Sequence, residues 1–99
     1  MTIKIGETYT FKLTSGEEVV GKVTDIQDNY LSLKDPVSVA PGPQGLGLIQ
    51  SMFTADPKDP ARLNINNVTI FALTDDSVKV KYIEATTGLV VPDKKLILG

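Results

Sequence analysis

The chain contains no cysteine and no histidine, and these two absences exclude most of the chemistry that a small domain can host. Without cysteine there are no disulfides, no thiol nucleophile and no thiolate metal site. Without histidine the usual mover of protons near neutral pH is missing, and so is the commonest zinc ligand. Ser-His-Asp and Cys-His machinery is therefore excluded. There is no tryptophan, and only three tyrosines and three phenylalanines, so any stacking platform must be drawn from those rings. No apolar run approaches the ~18 residues of a membrane span. The opening Met1-Thr2-Ile3-Lys4-Ile5-Gly6 lacks the apolar stretch and small-residue cleavage site of a secretory signal. The expectation is a cytoplasmic protein with no membrane partner. Positive charge is also scarce: ten Lys and Arg against twelve Asp and Glu, net −2. That balance argues against strong non-specific binding to a polyanion, so any nucleic-acid site must work through local geometry.

What is present is a β-rich pattern on a chain of 99 residues, 41% hydrophobic, which is the length of one domain, 1–99, with one modest core. Tyr9, Phe11 and Leu13 alternate with Thr8, Thr10, Lys12 and Thr14, the period of a half-buried strand. Ser15-Gly16 breaks the run as a tight hairpin, since glycine takes positive φ at little cost. A second strand covers Val19 to Ile26 with Gly21 inside it. A glycine there weakens a strand unless the strand bends or another backbone comes close. Gln27-Asp28-Asn29 forms the next turn, and Leu31 and Leu33 start a third strand that Asp35-Pro36 can kink before Val37-Ser38-Val39. Pro41-Gly42-Pro43-Gln44-Gly45 is a breaker cluster, which places a long loop at 40–47. An extended apolar run follows from Leu46 to Phe53. A second loop at 55–60 carries Pro57 and Pro60. Residues 63–73 read as a strand, an Asn-rich turn and a short strand.

The last quarter supports two periods. Val78, Val80 and Tyr82 alternate as in a strand, while Val78, Tyr82 and Ala85 share a helical face. End signals favour the helix. Thr74, Asp75 and Asp76 are candidate N-caps, and Gly88 suits the C-terminal cap with Leu89 packing back. The spacing predicts a helix from about 76 to 87 and a loose tail at 89–99 holding Pro92 and Lys94-Lys95.

Residues 11–33 resemble the first motif of the Sm-like (LSm) family. Phe11, Leu13, Gly16, Gly21, Val23, Asp28, Asn29, Leu31 and Leu33 fill its apolar-x-Leu-x-x-Gly-x-x-x-x-Gly-x-apolar run, its Asp- and Asn-containing turn and its closing Leu-x-Leu. The chain is one residue short before the closing leucines. Tyr30 therefore falls where the family has its base-contacting Asn, and Asn29 falls at the stacking position, so the two roles can be exchanged. Residues 63–73 resemble the second motif, with Leu63, Asn64, Ile65 and Val68 aligned. The family's Arg falls on Asn64 and its Gly on Ile65, so the motif's cation is missing. A C-terminal helix with a long loop after the third strand is similar to the small Sm-like proteins of marine cyanophages. The resemblance implies a strongly bent five-stranded antiparallel sheet, a small open barrel, whose fourth and fifth strands pair between subunits into a homo-oligomeric ring. It also implies single-stranded RNA or DNA bound at one rim, with Asp28, Asn29, Tyr30, Asn64, Asn66 and Asn67 as the contacting residues.

Each candidate has a plainer reading. Tyr30 can pack as a strand-start tyrosine. Asn66 and Asn67 are standard turn residues that tolerate left-handed backbone. Asp25, Asp28, Asp56 and Asp59 lack the ligand series of a calcium loop, and Glu17-Glu18 suits a hairpin surface. Gly42, Gly45 and Gly47 lack the Lys-Ser/Thr and the helix of a phosphate loop. The expectation is a binding module, not an enzyme, with no cofactor and no metal. The alternative is a structural or adaptor ring, such as a phage assembly component, that uses the barrel only to oligomerise.

Overall fold

A computed structural model describes residues 2–88. Six strands form one antiparallel sheet: β1 (Thr8–Leu13), β2 (Glu18–Ile26), β3 (Tyr30–Gly42), β4 (Gly45–Gln50), β5 (Ala61–Asn64) and β6 (Val68–Leu73). The order across the sheet is β4-β3-β2-β1-β6, and β5 also pairs with β3. A 3-10 turn (Ile65–Asn67) links β5 to β6, and one helix, α1 (Asp76–Thr87), follows. The expected mostly-β chain with a C-terminal helix is therefore observed, and the sheet is not closed.

Two expectations are corrected. The sheet has six strands instead of five, because the strand opposite β3 is interrupted. β4 pairs with the second half of β3, from Val37↔Gln50 to Gly42↔Gly45. β5 pairs with the first half, from Tyr30↔Asn64 to Leu33↔Ala61. Residues 51–60 leave the ladder between them, and Pro57 and Pro60 have no N–H to give it. The long loop at 40–47 is also absent. β3 and β4 close around Pro43-Gln44, with Gly45 at φ 108°, a conformation that glycine reaches freely. Pro41 is tolerated because the β2 ladder ends at Val39, so β3 has a free side there. The extended run from Leu46 ends at Gln50, leaving Met52 and Phe53 outside the strand.

The sheet carries apolar side chains on both faces. Val19 belongs to a cluster with Tyr9, Phe11, Val23, Leu31 and Leu33, while its neighbour Val20 packs with Val37 and Tyr82. Successive strand residues point to opposite faces. On β3 that alternation is reset by a bulge. Val20 pairs with Val37 and Lys22 with Lys34, so Asp35 and Pro36 together oppose Gly21. Asp35 takes the left-handed φ of 49°. Leu31 and Leu33 thus enter the first cluster, and Val37 turns to the second. A Cβ at Gly21 would lie 3.2 Å from Leu33 Cβ and Cδ1, which is the close approach that the glycine permits.

α1 covers the second face with Val78, Tyr82 and Ile83. Asp75 caps it, accepting from Ser77 N at 3.0 Å and Val78 N at 3.4 Å, and Gly88 ends it at φ 74°. The Tyr82 hydroxyl donates to Lys34 O at 2.5 Å and accepts from Lys22 N at 3.2 Å. The phenol thereby occupies backbone groups of the pair that flanks the bulge. The expected tail at 89–99, with the Leu89 contact, lies outside the described residues.

The sheet curls sharply over its first face. In a flat sheet the β3 start and the β1 end would sit roughly 30 Å apart along the strands, since about ten residues of β2 separate their partners. Yet Tyr30↔Asn64 and Leu13↔Val68 are both made, and the four residues from Asn64 to Val68 reach at most ~14 Å. The curl brings the β2–β3 turn and the β1–β2 hairpin to the same short connection.

Candidate nucleic-acid interface

That connection is where the sequence-derived site residues gather. Gln27 N donates to Tyr30 O at 2.9 Å and closes the turn, leaving Asp28 and Asn29 exposed at its tip. Ile65 N donates to Asn29 O at 3.1 Å, so the backbone joins the two turns directly. Asn64 sits opposite Tyr30 in the ladder. Its side-chain oxygen accepts from Asn66 N at 2.9 Å, which caps the 3-10 turn and leaves the amide NH2 as the group able to face a ligand. Asn66 and Asn67 are exposed. The Asn67 carbonyl accepts from Thr14 N at 2.8 Å, which pins the far end of the turn to the β1–β2 hairpin.

The residue missed by the sequence reading as a site is Arg62. It lies two positions before Asn64 on β5, hence on the same face. Its guanidinium carbon stands 5.9 Å from the centre of the Tyr30 ring, within reach of a cation–π contact. The same guanidinium lies 3.8 Å from Asp59 Oδ2. A cation is thus present beside Tyr30, two residues before Asn64. The signal was available as the Arg62-x-Asn64 spacing in a strand, but it needed the ladder to show which residue stands across from the pair. Tyr30 is half-buried and offers an aromatic surface at the rim, flanked by one guanidinium and one amide. Such a trio can stack on a base and donate to its edge or to a phosphate.

A separate concavity lies away from this rim. A cavity of about 430 Å³ opens between residues 55–61, the β3 bulge and the last turn of α1. Its charged groups, Lys34 and Lys58 against Asp35, Asp56 and Asp59, alternate in sign and do not converge on one ligand charge. Among the described residues, no group of three or more carboxylates is placed to hold a metal ion, and no helix is long and apolar enough to cross a membrane.

Two sheet edges share an unusual chemistry. β4 and β6 end the strand order, and neither holds a charged residue. Leu46 (53% exposed), Ile49 (49%), Ile70 (64%) and Leu73 (63%) stand in solvent along them. Met52 and Phe53 follow β4 and are exposed as well. Edge strands of monomers are normally protected by charge, and these are not. No family model and no curated relative matches this chain.

Proposed function

We propose that this chain is an Sm-like module that assembles into a homo-oligomeric ring and binds single-stranded nucleic acid, RNA foremost, at the rim formed by the β2–β3 turn and the β5–β6 connection. The observation that carries the reading is the Arg62 guanidinium over the Tyr30 ring with Asn64 directly across the ladder. An aromatic face, a cation and a free amide on one rim suit an unstacked base; a duplex hides those faces. The strand order, the curl and the first-motif residues support the Sm-like assignment. The uncharged open edges support assembly, since β4 of one copy pairing with β6 of the next is a heterologous contact that closes when the rotation permits. A ring would repeat a weak single site, and multivalency would raise its affinity for a strand long enough to span several subunits.

The test is fluorescence anisotropy with labelled oligouridylate and oligoadenylate, single-stranded and as the duplex, alongside light scattering of the same sample. Binding to the single strands, little to the duplex, and a mass several times 10.7 kDa is the expected result. An intact assembly that leaves every oligomer unbound at high protein and low salt favours the adaptor ring. The net charge of −2 is the observation on that side.

A further inference from the structure

Arg62 has two neighbours at the rim. Its guanidinium approaches Tyr30 on one side and Asp59 on the other. Asp59 belongs to the segment 51–60 that interrupts the strand opposite β3. The segment is held in shape by its own bonds: Asp59 N donates to Asp56 O at 3.2 Å, and Lys58 N to Asp56 Oδ1 at 2.9 Å. Both ends of that segment are anchored, by Ser51 N donating to Pro36 O at 3.1 Å and by the β5 ladder. The Asp59 carboxylate is therefore held beside Arg62, and among the described residues the Arg62–Asp59 pair is the ion pair of this rim.

We infer that Asp59 is a built-in competitor for phosphate at Arg62, so that the inserted segment sets the affinity and salt response of the rim; this rests on the nucleic-acid reading above. A phosphate reaching Arg62 must displace the carboxylate or bind beside it against like-charge repulsion. Both partners are more than half exposed, 56% and 63%, so the competition is screened and its effect is modest. It acts on the phosphate and leaves the base-stacking face of Tyr30 unchanged. The inserted segment thereby favours base contacts over backbone charge and suppresses binding of polyanions that offer no free base.

The experiment compares the full chain with Asp59→Asn, with Asp56→Asn, and with Asp59→Asn combined with Arg62→Gln. Anisotropy with a labelled oligouridylate is read over a salt series. Asp59→Asn should tighten binding about three-fold at low salt and steepen the salt dependence by up to ~0.7 in log–log slope, the value of one freed single-strand phosphate contact. The gain should vanish in the Arg62→Gln background, because the two residues act as a coupled pair. Asp56→Asn, a carboxylate occupied with Lys58 N, should change little. Equal affinity and slope for Asp59→Asn and the parent overturns the inference while leaving the nucleic-acid reading standing. An equal gain from Asp56→Asn, or a gain that survives Arg62→Gln, also overturns it, since general charge is then the cause. If neither the parent nor any variant binds, the nucleic-acid reading fails and this inference fails with it.

Discussion

The hydroxyl of Tyr82 donates to the carbonyl oxygen of Lys34 at 2.5 Å, across 48 residues of chain. It simultaneously accepts from Lys22 N. These bonds join the helix to the sheet where the β2–β3 ladder steps around Gly21, Asp35 and Pro36. The bulge leaves backbone groups short of strand partners, and a buried unpaired group costs about 1–3 kcal/mol. Tyr82 therefore couples the position of α1 to the shape of the sheet.

Replacing Tyr82 with Phe keeps the ring and removes both bonds. Stability should fall by about 1–2 kcal/mol, seen as a lower urea midpoint with an unchanged slope. A variant as stable as the parent would show that water or a small shift satisfies Lys34 O and Lys22 N equally well.

The same hydroxyl makes the fold sensitive to alkali. Burial, aided by the nearby Asp35 charge and opposed by the Lys22 N–H, raises the Tyr82 pKa from 10.0 to about 12. The folded state thus favours the protonated phenol more than the unfolded state does. Its contribution is fully present below pH 10 and is lost as pH rises from there through about 12. Absorbance titration of phenolate against circular dichroism should show the parent losing stability across that window. The Tyr82→Phe protein should show a smaller loss.

Gly21→Val should destabilise the protein by about 1–3 kcal/mol through overpacking. The first added carbon would already sit 3.2 Å from two Leu33 atoms, and Leu33 is itself 2% exposed. Thermal unfolding measures the loss, and recovery on adding Leu33→Ala would trace it to that contact.

Ile70→Asp tests assembly without touching the core, because Ile70 is 64% exposed in the isolated chain. Sedimentation should report a monomer with the circular dichroism of the parent. An unchanged assembly would remove the β6 edge from the interface.

Tyr30→Ala should weaken oligonucleotide binding about ten-fold, within the range for losing one stacked base. Tyr30→Phe should retain most of the affinity, because the ring is the contacting surface. Equal loss in both variants would assign the effect to the phenol hydroxyl.

Much of the architecture was legible because local chemistry dictated it. Gly16 turns the first hairpin at φ 91°, and the Tyr9-Phe11-Leu13 alternation made one buried face. The competing strand reading of Val78 to Tyr82 lost to the end signals, since Asp75 and Gly88 cap a helix. The turns carrying the six candidate residues are joined by the Asn29–Ile65 bond. Lys34 and Arg62 are the cations nearest the rim in sequence, and only the β3–β5 ladder shows that Arg62 is the one beside Tyr30. The loop at 40–47 failed for a different reason: the glycines and prolines there serve a two-residue turn, and composition alone does not measure turn length.

Local order in the chain determined the first hairpin, the turn after the second strand and the ends of the helix, because those choices rest on φ preferences, alternation and capping within a few residues. Only the tertiary structure decided which face each segment buries. Leu31, Leu33, Val37 and Val39 keep a strict period of two, which puts them on one side of a regular strand. The two-against-one bulge of Asp35 and Pro36 opposite Gly21 sends Leu33 to one cluster and Val37 to the other. The Tyr82 hydroxyl, 48 residues downstream of Lys34, occupies backbone groups beside that bulge, a contact that no local pattern encodes.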